Sequence, residues 1–351
     1  MKVCLTGNTS TTAEFTVTLP KVAVDPVLQA TPSYLGPCAS YGTPSALGNG
    51  NVRTYAQQEP NGKPISMGFV FPKTMLQNLP TTMTDQHHCY DINGNGVIDE
   101  HTECMGGHER PLDLPTALTN TPDIPYKWAL LNYNTMGHGP AGIYDLPHFD
   151  FHFYVQPKAE RDAIRPGPCA LAINCDDFAT ATKPIPSQYM PSGYIDNGVA
   201  EVAMGNHLID QSSPEWHGQT FTQTFIYGAY DAKISFLEPM ITKAYLEGLA
   251  TGANQSGCFP IKQPQAWQVA ELVPEGLLHQ VPRQPRRLHR LDGELPAQLS
   301  HRPGRALPAL PPEPGTGGHP HPRCRAAPTG RSDTRRRQRM DGAGHPRVAG
   351  I

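Results

Sequence analysis

The 351-residue chain lacks the features that mark several large functional classes. Its 28 Lys+Arg and 31 Asp+Glu nearly cancel to a formal charge of −3. No basic excess therefore points to nucleic acid or to an anionic membrane surface. No apolar run approaches the roughly 20 residues of a membrane helix. The 8 cysteines never form CxxC, which argues against zinc-ribbon and thioredoxin-type sites. There is no GxSxG elbow and no glycine-rich phosphate loop, and no cysteine stands beside a histidine in a known nucleophilic pattern.

Proline, by contrast, is abundant: 38 residues, against a usual share of about 5%. Long helices are disfavoured, and short strands joined by rigid turns are expected. Strand-like segments are Asn51–Gln58, Ile65–Phe71, Phe149–Val155, Gln219–Gly228 and Lys233–Met240, separated by Gly, Pro, Asn and Asp clusters. Short helices are expected at Pro72–Leu79, Lys158–Arg165 and Met240–Ala250, and a hairpin turn near Asp231 and Ala232. The expected fold is mainly β, an antiparallel barrel or sandwich with a few short helices and long Pro/Gly-rich loops. Residues 1–35 form an N-terminal extension, 36–270 the β-rich body, and 271–351 a tail.

That tail changes character. From Leu277 to Gly350 it holds no Phe, Tyr, Trp, Lys, Asn or Ile, while Arg, Pro, His, Gly and Ala dominate. By composition it is a disordered Arg/Pro-rich segment, yet it also has the look of a GC-rich gene read out of frame. Back-translating Leu277–Ser300 with permitted codons and shifting by one nucleotide can yield a tyrosine-rich, strand-like sequence. A frameshift near residues 271–277 is the expectation, so the clustered tail arginines are not read as a nucleic-acid patch. An unbroken frame on resequencing the gene would end the idea.

Cys89 and Cys104 flank one polar loop, and Cys169 and Cys175 flank another. Short loops closed this way fit disulfides in an oxidising compartment. The first residues include no apolar leader core. The expectation is an extracytoplasmic protein whose leader is not present in this chain.

The chemistry gathers around Pro147–Val155, "PHFDFHFYV". On a strand, His148, Asp150, His152 and Tyr154 share one face and Phe149, Phe151, Phe153 and Val155 the other. His138 and His207 each follow closely on a glycine that permits a tight turn. Glu238 alternates with Ile234, Phe236 and Met240, so it sits on an apolar face where a carboxylate needs a cation or strong donors. Together His138, His148, Asp150, His152, His207 and Glu238 form a candidate metal set. Strand positions i and i+4 lie about 13 Å apart, so His148 and His152 can barely meet one ion on a flat strand. Thiolate-free His/carboxylate ligands suit zinc, iron, manganese or copper. Against this stands the plainer reading that the histidines only hydrogen-bond. His217 and the pair His87 and His88 read as surface residues.

A second motif, "DINGNGVIDEHTEC", places Asp91, Asn93, Asn95, Val97 and Asp99 at calcium-loop spacing with Gly96 at the sharp turn. The match fails at its twelfth position, Thr102, and the carboxylate of Glu103 comes one residue late. A structural Ca²⁺ loop clipped by Cys89 and Cys104 is expected.

The string "YNTMGHGPAGIYDLPHFDFHFYV", with "VAMGNHLID", "FTQTFIYGAYDAKISFLEPMIT" and "NVRTYAQQEPNGKPISMGFVFPKTMLQNLP", resembles a family of uncharacterised, mostly secreted bacterial β-proteins. The likeness covers roughly Gly48 to Trp267. It implies an oligomeric β-fold with no established activity and a site made of the six residues just named. The function expected is that of an extracytoplasmic metal-binding protein, acting in binding or envelope structure. The alternatives are a metal-dependent hydrolase or oxidoreductase and a metal-free structural oligomer.

Overall fold

The computed structural model describes residues 1–6, 14–122, 124–268, 274–279 and 348–350. Alternating apolar and polar residues build two main antiparallel sheets. The smaller is centred on β1 (Gly50–Gln58) and β2 (Pro64–Val70), with the short strands Ser40–Tyr41 and Ser45–Leu47 beside β1. The larger has seven strands: β3 (His108–Leu112), β4 (Trp128–Asn134), β5 (His148–Tyr154), β6 (Tyr194–Glu201), β7 (Gly205–Asp210), β8 (Gln223–Tyr230) and β9 (Lys233–Thr242). Their spatial order is β3-β4-β5-β9-β8-β7-β6. Two antiparallel meanders thus meet where the last strand, β9, lies against β5. The edges β3 and β6 do not pair with each other among the described residues, so the barrel is not formed and a sandwich fits.

The two faces of β5 separate as the alternation requires. Phe149, Phe151 and Phe153 enter the main core, where Phe69 of β2 meets Phe151 and Phe153 edge-on at centroid distances of 5.1 Å. Each such buried side chain stabilises the fold by about 1.5–3 kcal/mol. Leu246 and Leu249 of the helix Lys243–Thr251 join this core. That helix starts later than expected because Met240–Thr242 stay in β9, and the Thr242 hydroxyl then accepts from Tyr245 N–H at 3.2 Å as its cap. The opposite face of the sheet carries Trp128, Leu130, Tyr154, Met204 and Phe236, and, further along, Tyr144, Ile209, Phe221, Ile226 and Met240.

Two irregularities in β9 shape that face. The β8–β9 register shifts between Gly228 and Ala229, so that Phe236 pairs with Gly228 but Ile234 with Ala229. Ile234 thereby turns into the phenylalanine-side core and does not share a face with Phe236, as simple alternation had it. Pro239 has no N–H to give the ladder, and β5–β9 pairing skips from Asp150–Met240 to Phe153–Leu237. The gap falls at His152 and Glu238.

The hairpin turn at Asp231 and Ala232 is present, both residues having positive φ. The expected helices at Pro72–Leu79 and Lys158–Arg165 shrink to Lys73–Leu76 and Lys158–Asp162. The N-terminal extension is itself folded, with strands Lys2–Leu5, Phe15–Thr18 and Tyr34–Leu35 and the helix Lys21–Ala30. Disulfides Cys89–Cys104 and Cys169–Cys175 form as spacing implied, and Cys4–Cys38 adds a third that spacing did not reveal. Such bonds persist in oxidising, extracytoplasmic surroundings. No described helix is long and apolar enough to cross a membrane. In the expected tail, Pro274–His279 pairs with Gly257–Pro260. Residues 271–273 and 280–347, on which most of the frameshift expectation falls, lie outside the described residues.

Candidate metal centre

The six residues singled out by pattern lie on or beside one face of the large sheet, but they divide into two groups of three. His138, His148 and Asp150 form one; His152, His207 and Glu238 form the other. Within each group the ligand atoms lie within 4.8 Å of one another. The division follows from strand geometry. Asp150 and His152 are two residues apart on β5, a rise of about 6.6 Å, and each reaches the neighbour nearest to it. A single site holding all six residues is therefore not formed.

In the outer group, His148 and Asp150 are buried, while His138 is partly exposed. Gly137, at φ +75°, makes the turn that brings His138 over β5; a Cβ there would stand 2.3 Å from the Tyr144 carbonyl oxygen. His138 Nε2 is 3.7 Å from Asp150 Oδ2, and His148 Nε2 is 3.1 Å from Asp150 Oδ1. The latter contact is close but not aligned as a hydrogen bond, and Oδ1 has no hydrogen-bond partner. Asn134 on β4 donates from Nδ2 to Asp150 Oδ2 at 2.6 Å and sits 3.3 Å from His148 Nε2. Burial pushes the Asp150 carboxyl up, but His148 and His138 outweigh it and hold the group ionised.

The inner group is darker. His152 is fully buried and Glu238 nearly so, with His207 partly buried. His152 Nε2 lies 3.4 Å from Glu238 Oε1, and His207 Nε2 lies 3.9 Å from Glu238 Oε2. Gly205, at φ +103°, lets the β6–β7 hairpin turn tightly ahead of His207. Neither ring nitrogen of His152 has a hydrogen-bond partner among the described residues, nor does Glu238 Oε2. Burial pulls both imidazoles below their usual range and pushes the Glu238 carboxyl well above its own, with Asp150 and Glu201 adding to the latter.

Tautomers can be read from the carbonyl acceptors, because a carbonyl oxygen only accepts. His138 Nδ1 faces the Gly139 carbonyl at 2.9 Å, His148 Nδ1 that of Leu146 at 2.6 Å, and His207 Nδ1 that of Val199 at 2.9 Å. Each Nδ1 therefore carries a proton. Burial pulls the His138 imidazole down, but Asp150 outweighs it and holds the ring above its usual range, whereas burial keeps His207 below its own. Each Nε2 is left turned toward a carboxylate. This is how metal-ligating histidines are oriented by their backbone. The donor spacings agree: two ligands at about 2.0–2.1 Å from a tetrahedral ion stand about 3.3 Å apart, and the measured carboxylate–imidazole edges run from 3.1 to 3.9 Å.

Other singled-out residues lie elsewhere. Asp210, which follows His207 in sequence, is held by Lys262 at 2.6 Å. His87 and His217 are exposed, as expected, but His88 is buried and bonded through Nε2 to Glu109 Oε2 at 3.1 Å. Sequence reasoning missed Glu109 and also Arg161, a buried side chain that donates to Glu109 at 2.7 and 3.2 Å. The guanidinium already supplies the cation for that group of His87, His88 and Glu109. In the group Cys4, Glu14 and Cys38 the thiols are consumed by a disulfide.

In the calcium-type loop, Asp91 accepts from Asn95 and Gly96 N–H, Asn93 Oδ1 from Asn95 N–H, and Asn95 Oδ1 from Val97 N–H. Glu103, the late carboxylate, accepts from Ile92, Asn93 and Asp99 N–H, while Asp99 accepts from His101 N–H and the Thr102 hydroxyl. The carboxylates thus organise the loop's own backbone, and Val97 is exposed. No family model, curated protein or solved structure matches the chain.

Proposed function

We propose that this chain is an extracytoplasmic metal-binding protein carrying two neighbouring cation sites on one sheet face: His138, His148 and Asp150 in the outer, His152, His207 and Glu238 in the inner. The observation that carries the reading is His207. Its Nδ1 proton is committed to the Val199 carbonyl, which leaves Nε2 as the nitrogen turned toward Glu238 Oε2 at 3.9 Å. A cation would use that nitrogen together with the unpartnered nitrogens of His152 and Oε2 of Glu238.

Binding is favoured over catalysis because five of the six ligands are rooted in strands and His152, fully buried, packs against the rings of Tyr154 and Phe236. A catalytic ion keeps an open position. The three disulfides found among the described residues support an extracytoplasmic location. The loop Asp91, Asn93, Asn95, Val97 and Asp99 supports a separate, structural Ca²⁺ site, since each carboxylate oxygen that accepts one N–H keeps a further lone pair.

The test is metal content by mass spectrometry after chelation and reloading with Zn²⁺. About two equivalents per chain are expected if each trio holds one ion, falling to none in a His148→Ala/His152→Ala double variant. If wild type retains no transition metal and the double variant is equally stable with metal offered, the reading fails.

A further inference from the structure

The inner site has one more donor that sequence reasoning passed over. Met204 sits on the β6–β7 turn, 5% exposed, and its Sδ lies 3.2 Å from Nε2 of His207. With the His207 proton on Nδ1, no N–H points at the sulfur. A methionine that merely fills a core rests its sulfur about 5 Å from an aromatic ring, often at the ring edge, and Trp128, Tyr154 and Phe236 are all in the same cluster. Here the sulfur lies 3.2 Å from an imidazole nitrogen, at the spacing of two ligands on one ion.

We infer that Met204 is a ligand of the inner site and that this site selects copper, Cu(I) above all, over zinc. The inference rests on the metal-binding reading above. Two imidazoles and a thioether are borderline-to-soft donors that suit Cu(I), whereas carboxylate-rich sites suit harder ions. Glu238, at 3.4 and 3.9 Å from the two imidazoles, balances the charge of the bound ion in a dry site. The outer group, His138, His148 and Asp150, contains no sulfur and serves as the internal control: it should take Zn²⁺ or another borderline divalent ion.

The experiment titrates the full chain with Cu(I) under ascorbate against a bicinchoninate competitor, and separately with Zn²⁺. In Met204→Leu, Cu(I) affinity should fall by about tenfold or more while outer-site Zn²⁺ affinity stays within about twofold. X-ray absorption at the copper edge should show a sulfur neighbour in wild type. Growth on selenomethionine should convert it to a selenium neighbour, a readout that needs no variant to fold. If Met204→Leu binds Cu(I) like wild type, or copper shows only nitrogen and oxygen neighbours, the thioether assignment is overturned while the metal centre stands. If neither Cu(I) nor Zn²⁺ binds and His207→Gln changes nothing, the metal-binding reading itself has failed.

Discussion

Replacing Glu238 by leucine should change stability in opposite directions with and without metal. In the metal-free protein, Glu238 is a carboxyl 2% exposed whose Oε2 has no donor. Leaving such a group buried and unsatisfied costs about 1–3 kcal/mol, and leucine, of similar volume, meets Ile226 across the β8–β9 ladder and Phe236 two residues away. Metal-free Glu238→Leu should therefore be more stable than wild type by about 1–3 kcal/mol. With Zn²⁺ at one hundred times its dissociation constant, a site that binds only the folded state adds about 2.7 kcal/mol to wild type. The variant loses the inner site's gain of about 2.7 kcal/mol, so the order of stabilities closes up or inverts. The assay is urea unfolding in chelator and in excess Zn²⁺, compared at the midpoint with the slope checked for constancy. A variant that is destabilised in chelator, and that metal still stabilises fully, would refute the reasoning, because Glu238 would then be an ordinary structural partner of His152.

Arg161→Met should cost about 3–5 kcal/mol at neutral pH, since it strands a buried carboxylate. Burial pushes the Glu109 carboxyl up, but His88 and Arg161 outweigh it and hold the group at about 2 against its ordinary 4.5. A depressed folded pKa stabilises above pH 4.5 and loses that contribution as pH falls toward 2, in all about 3 kcal/mol at 1.36 kcal/mol per pKa unit. The gap between variant and wild type in urea unfolding should narrow across that window; a gap independent of pH counts against the pair. Opening the 15-residue loop with Cys89→Ser/Cys104→Ser should lower stability by about 3 kcal/mol, measured by thermal unfolding, and no change would mean that the loop is held by its Asp91 and Glu103 bonds alone.

The fold's mainly β character and the two faces of β5 were legible because alternation is local: "HFDFHFY" specifies which side chains oppose which, whatever surrounds it. The turns at Gly137 and Gly205 were legible for the same reason, glycine being the residue that accepts positive φ. What could not be read was long-range pairing. Nothing near His88 signals that Glu109 and Arg161 will bury it, and nothing near Asp210 signals Lys262, 52 residues away. The split of six candidates into two groups depends on which strands flank β5, which is a matter of topology. Met204 was overlooked because a methionine in an apolar stretch has the same local pattern whether it packs or ligates.

Because β5 sets Phe151 and Phe153 against Phe69 of the neighbouring sheet and Phe149 against Tyr133 of β4, it cannot slip by one residue without exchanging its oily side for its basic one. Spacing on the histidine-bearing side is thus enforced from behind. A substitution such as Phe151→Leu, remote from every nitrogen donor, would loosen affinity by letting the strand breathe. A mutational survey confined to the six candidate ligands would overlook the side chains that set their spacing.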